Sequence, residues 1–140
     1  TEVNVNGAAE IISYAFNYFI NQGFGHIACI SSVASIKGNA YAPAYSASKA
    51  WQSNYMEGLY FKAKKLKSNI AVTDIQPGFV DTAMAKGNRK FWVATPQKAA
   101  QQIYTAILNK KKVVYVTKRW WWFATLLKCI PDCIYKKMSS

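Results

Sequence analysis

Two short apolar runs, His26-Ile27-Ala28-Cys29-Ile30 and Ile70-Ala71-Val72-Thr73-Asp74-Ile75-Gln76, stand on either side of a long helical segment spanning 44–66. That spacing constrains the fold more than anything else in the chain. The first run, read as a strand over 26–32, has apolar residues without alternation, as expected of a strand buried on both faces. The second, 70–76, is stopped by Pro77-Gly78, a pair that ends regular structure. A helix is expected before the first strand, over 4–22, closed by a Gly23-Phe24-Gly25 turn. Residues 35–43 read as a loop and 81–91 as an irregular or short helical segment. Thr95 can cap a helix with Pro96 at its first position, running to about Leu108. Val113-Val114-Tyr115-Val116 is a short third strand. Strands separated by helices of this length argue an α/β fold: a parallel sheet with helices on both faces. Three strands are too few for a complete doubly wound sheet.

Chemistry gathers around the ends of these elements. Tyr45 and Lys49 are four residues apart in Tyr45-Ser46-Ala47-Ser48-Lys49, on one face of the long helix and one turn apart. A phenol is a poor base at neutral pH, and an ammonium held close favours its phenolate form. Such a phenol can exchange a proton with an alcohol or ketone. Ser32 closes the first strand run, thirteen residues before Tyr45, where its hydroxyl can hold the same substrate oxygen. The spacing alone is weak: with 9 tyrosines and 16 lysines in 140 residues, about one Tyr-x-x-x-Lys pair arises by chance. A second pair, Tyr60 and Lys64, reads as a solvated helix face. His26 reads as structural.

Four motifs in register make the difference: Asn4-Val5-Asn6-Gly7, Ser32, Tyr45 with Lys49, and Pro77-Gly78-Phe79-Val80-Asp81-Thr82. In order and spacing the chain from about Asn4 to Tyr115 resembles the short-chain dehydrogenase/reductase family, its C-terminal catalytic half only. The resemblance implies the C-terminal half of a Rossmann-like doubly wound parallel sheet, with three strands, flanking helices and an amphipathic helical tail. It implies a partial domain over 1–118 and a basic, Trp-rich tail over 119–140. By the same resemblance Tyr45 is the acid/base and also contacts the cofactor, and Lys49 assists it and bonds the nicotinamide ribose. Ser32 positions the substrate oxygen better than its neighbour Ser31. Asn4 holds a helix bend and a relay water, against a plainer reading as a helix N-cap. Pro77, Gly78, Val80 and Thr82 belong to the segment that covers the nicotinamide. The implied cofactor is NAD or NADP, and the implied reaction is hydride transfer between it and a small carbonyl or alcohol substrate, a hydrophobic one fitting the tail. No glycine-rich phosphate turn follows a strand in these residues. Gly23 and Gly25 are only a turn, so the expectation is a fragment inactive alone.

Residue 1 is Thr, which reads as a fragment or processed product, with no secretory signal and no apolar stretch long enough to span a bilayer. Cys29, Cys129 and Cys133 do not form a disulfide framework or a zinc set, so a reducing, cytoplasmic setting is expected. Net charge is +12, yet no nucleic-acid-binding motif accompanies it, and nucleic acid is not expected as a partner. Lys118-Arg119-Trp120-Trp121-Trp122 opens a tail whose clustered tryptophans and cations suit an anionic membrane surface, with peripheral contact through 119–137. Packing over the substrate cleft or an oligomer interface is the plainer reading. Three adjacent tryptophans cannot all face one core. A homo-oligomer through the long helices is expected. The competing reading is a non-catalytic remnant acting in oligomerisation or membrane-surface association.

Overall fold

The computed structural model describes residues 2–78 and 94–139. A π-helical turn, Val3–Gly7, runs directly into α1, Ala8–Gln22. Gly23 ends α1 in a left-handed conformation at φ 87°, and its amide caps the Phe19 and Ile20 carbonyls, a terminus for which glycine has no steric penalty. The expected Gly23-Phe24-Gly25 turn is therefore shorter than read. Only Gly23 turns, because β1, Phe24–Ile30, begins at the next residue. After a short 3₁₀ turn, Val33–Ser35, comes α2, Pro43–Lys65, with proline in its first turn and Lys62, Lys64 and Lys65 in its last. Those cations favour the C-terminal dipole. β2 is Asn69–Pro77, α3 is Pro96–Leu108 and β3 is Val113–Val116. Thr95 caps α3 by accepting from the Lys98 amide, as the sequence reading expects.

The sheet is parallel in the order β1-β2-β3, with Ile27 level with Val72 and Gln76 with Tyr115. Alternate residues of β2 face opposite layers. Ile70 and Val72 join Ile12 and Phe16 of α1 and Met56, Leu59 and Ala63 of α2 in one core. Ile75 faces the other way, packing with Val116, Ala94 and Ala99 against α3. Helices thus cover both faces, and the α/β assignment holds. β1 departs from its expected complete burial: Ala28 and Ile30 are exposed while Ile27 is buried. The reason is position: among the described residues β1 stands at the edge of the sheet, and no helix packs on the face bearing Ala28 and Ile30.

The chain closes with α4, Trp120–Cys129, and α5, Asp132–Ser139. On α4, Trp120, Ala124 and Leu127 point inward, whereas Trp121 and Trp122 are exposed. The three tryptophans divide between core and surface, as the helical period requires. Among the described residues no helix is long and apolar enough to cross a membrane.

Candidate active site

Tyr45 lies in the first turn of α2, half exposed, with Lys49 one turn further on. The Lys49 Nζ sits 6.0 Å from the centre of the Tyr45 ring. Lys49 does not swing free: its ammonium donates to the Ile30 carbonyl at the end of β1 and to Gln52 Oε1, both at 2.9 Å. Burial lowers the Lys49 pKa below its ordinary value, with the charges of Cys29 and Asp74 pulling the other way.

Asn4 falls inside the π-helical turn, not at a helix N-cap. Its side-chain amide donates to Ser48 Oγ at 3.2 Å, and its backbone carbonyl accepts from Gln52 Nε2 at 2.9 Å. The Asn4 turn is thereby joined to the same stretch of α2 that carries Tyr45 and Lys49. Ser32 follows the end of β1, nearly buried, and its Oγ accepts from the Ala34 amide at 3.1 Å. That bond caps the 3₁₀ turn and occupies the oxygen as an acceptor, leaving the hydroxyl proton able to donate.

Sequence reasoning missed a polar cluster beneath this site. Asp74, on β2 and only 3% exposed, accepts from Ser31 Oγ at 2.5 Å, Ser53 Oγ at 2.6 Å and Gln76 Nε2 at 2.7 Å. Gln76 also donates to Ser53 at 2.9 Å. Three motif-bearing segments meet here: Ser31 precedes Ser32, Ser53 sits on the Tyr45 helix, and Gln76 precedes Pro77-Gly78. The available signal was a charged residue inside an otherwise apolar strand run, since buried carboxylates survive only when hydrogen-bonded. A cavity of about 490 Å³ borders this cluster, lined by Ser53, Asp74, Gln76, Tyr115 and Trp121. Ser32, Tyr45 and Lys49 do not line it.

Pro77 ends β2, and the Gly78 amide bonds the Val116 carbonyl. A Cβ on Gly78 would run into the Trp120 indole, so the tail packs on the segment expected to cover a nicotinamide. Val80 and Thr82, and the expected irregular segment 81–91, lie outside the described residues. The tail also holds the loop between Ser32 and Tyr45. Lys37 donates to the Ile130 carbonyl at 2.8 Å, pairs with Asp132 at 3.0 Å and lies over the Tyr135 ring. Tyr135 in turn donates to the Gly38 carbonyl at 2.7 Å.

The remaining candidates are structural in their surroundings. His26 bonds Thr73 Oγ1 across the sheet at 2.8 Å, and burial followed by the Lys110 charge lowers its pKa. Burial and then Asp74 raise the Cys29 thiol, with Lys49 opposing. Tyr60 is half-buried against the α1–α2 core, with Lys64 and Lys112 near its ring. Its solvated-face reading is half right: the lysine is exposed and the ring is not.

A parallel α/β sheet flanked by helices defines a Rossmann-like fold, with Ser32 following β1 and Lys49, one helical turn beyond Tyr45, bonded to the last residue of that strand. The family model "short chain dehydrogenase" matches residues 1–91, and the chain belongs to that family. It is 37% identical over 87 residues to an uncharacterized oxidoreductase of Myxococcus xanthus, covering 62% of this chain and 34% of that protein. Its fold resembles a Burkholderia cenocepacia short chain dehydrogenase in complex with NADP, at TM-score 0.82 and 20% identity, over 99% of this chain and 59% of that one. It also resembles a Mycobacterium paratuberculosis short chain dehydrogenase bound to NAD, at TM-score 0.65 and 22% identity, over 80% and 51% of the two chains. The chain spans between 29% and 48% of the length of several curated relatives it matches.

Proposed function

We propose that the protein carrying this chain is an NAD(P)-dependent oxidoreductase interconverting an alcohol and a carbonyl, with Tyr45 as acid/base. The observation that carries the reading is the Tyr45–Lys49 pair anchored at the end of β1 through the Ile30 carbonyl. Tyr45 takes the hydroxyl proton of an alcohol or returns it to a carbonyl oxygen, while the Ser32 hydroxyl donates to that same oxygen. Lys49, with Pro77, Gly78, Val80 and Thr82, would hold the nicotinamide end of the cofactor, which supplies or accepts the hydride when bound. The donor set fits: Lys49 has three N–H groups, and two go to Ile30 and Gln52. A pyrophosphate-binding turn is not among these residues, so the 140-residue chain alone should not turn over. NAD and NADP are equal candidates here. Tyr45→Phe should lower NAD(P)-dependent turnover of secondary alcohols at least about a hundredfold without changing the circular dichroism spectrum. Retention of most activity would end the proposal.

Two partner surfaces belong to the same reading. Ile11, Tyr14 and Tyr18 form an exposed stripe on α1, and Phe61 is exposed on α2. These support a homo-oligomer built through the long helices, testable by sedimentation of a Tyr14→Glu variant. Trp122 and Leu126 face outward from α4, at 72% and 55% exposure, beside Lys118, Arg119 and Lys128. They support peripheral contact with anionic lipid. The non-catalytic alternative would act through either surface, in oligomerisation or membrane-surface association, and liposome binding that survives Trp122→Glu would remove the membrane contact.

A further inference from the structure

We propose that Gln52 is a positioning residue for Lys49, its buried amide holding the ammonium on one side and the Asn4 carbonyl on the other. Gln52 lies three residues beyond Lys49 and seven beyond Tyr45 on α2, so the three share one helix face. It is 5% exposed. A methionine or leucine would fill that volume without the cost of burying an amide, and the amide is instead committed at both ends. Oε1 accepts from Lys49 Nζ and Nε2 donates to the Asn4 carbonyl, each at 2.9 Å.

The consequence is geometric. A lysine side chain has four rotatable carbons and an ammonium with three donors. Here one donor goes to the strand, through Ile30 O, and one to the helix, through Gln52. The ammonium is thereby held between β1 and α2, beside the Tyr45 ring, with one N–H left over for a ligand. The same amide ties the π-helical turn to α2, where the Asn4 side chain already reaches Ser48. Gln52 carries no proton it can readily give up, so it holds this arrangement and does not relay through it. The groups facing Lys49 are the Tyr45 ring, the Cys29 thiol on β1 and the Asp74 carboxylate on β2. None of these changes when Gln52 is replaced.

The catalytic importance of this contact rests on the proposed function, but its existence is tested separately. Lysine 13Cε NMR, with the resonance assigned through Lys49→Arg, follows the Lys49 titration in wild type, Gln52→Met and Gln52→Glu. Gln52→Met removes an acceptor from the ammonium and should shift its ammonium-to-amine ratio at a given pH about tenfold toward amine. Gln52→Glu keeps an acceptor and adds charge, and should shift the ratio about as far toward ammonium. Both remove the donor to Asn4 and should speed amide hydrogen exchange in the Val3–Gly7 turn about fivefold or more. A Lys49 titration unchanged in Gln52→Met overturns the inference, as does unchanged exchange in the turn. If Gln52→Met fails to fold, an unshifted Lys49 in Gln52→Glu overturns it alone. Activity that survives Tyr45→Phe would refute the proposed function and leave these titrations standing.

Discussion

Replacing Asp74 tests whether the buried cluster holds the motif segments together. Its carboxylate receives three donors, and bonds to a charged acceptor contribute about 1.5–3 kcal/mol each. Simple addition overstates the loss, because the partners have alternatives. Ser31 Oγ lies 3.3 Å from the Ile75 carbonyl and can turn toward it, and Gln76 Nε2 keeps Ser53. Removing the carboxylate also ends the cost of burying its charge. Asp74→Ala should therefore cost about 3 kcal/mol, roughly one strong bond plus a cavity and a weakened remainder. Asp74→Asn should cost less, about 1 kcal/mol. Its amide oxygen serves Ser31, and its NH₂ donates to Ser53. Gln76 can rotate its amide so that Oε1, which has no partner among the described residues, accepts from the new NH₂. Urea unfolding followed by circular dichroism measures both, comparing midpoints at unchanged slope. An Ala variant within about 1 kcal/mol of wild type, or an Asn variant worse than Ala, would refute this reasoning.

His26 has a lowered pKa in the fold, so the unfolded chain takes up its proton first as pH falls below 6.5. Its contribution to stability is present above that pH and is lost on acidification, and His26→Gln should flatten that part of the pH–stability curve. Cys29, raised by burial and by Asp74, should alkylate at pH 7.5 at least about tenfold more slowly than exposed Cys129 and Cys133. Peptide mass mapping after iodoacetamide reads the rates, and equal labelling would contradict the thiol's surroundings. Gly78→Ala should destabilise by about 1–3 kcal/mol through its clash with Trp120. Trp120→Leu should relieve part of that, so additive double-mutant energies would argue against the contact.

How much was legible in the sequence depended on whether the signal was local. The helix bearing Tyr45 and Lys49, the strand 70–76, the short strand at Val113 and the Thr95 cap all follow from period, cap and breaker residues that act within a few positions. The exposure of Ala28 and Ile30 did not, because an apolar run reads alike in a central strand and an edge strand. Burial there depends on which neighbours arrive from elsewhere in the chain. Gln52 was invisible for a similar reason: a glutamine in a helix carries no signal until a lysine and a distant carbonyl converge on it.

By itself the sequence determined the α/β alternation and the parallel sheet, since short-range geometry suffices for those, and it singled out Ser32, Tyr45 and Lys49 as the candidate set. Only the tertiary structure decided what the set is attached to. Parallel pairing brings β1 and β2 into register and places Ser31 against Asp74, while the packing of α2 brings Lys49 to the Ile30 carbonyl. The return of the tail brings Trp120 onto Gly78 and the Tyr135 ring against Lys37. Ser31–Asp74, Gly78–Trp120 and Lys37–Tyr135 each join residues more than forty positions apart, and no periodicity along a chain encodes a partner at that distance.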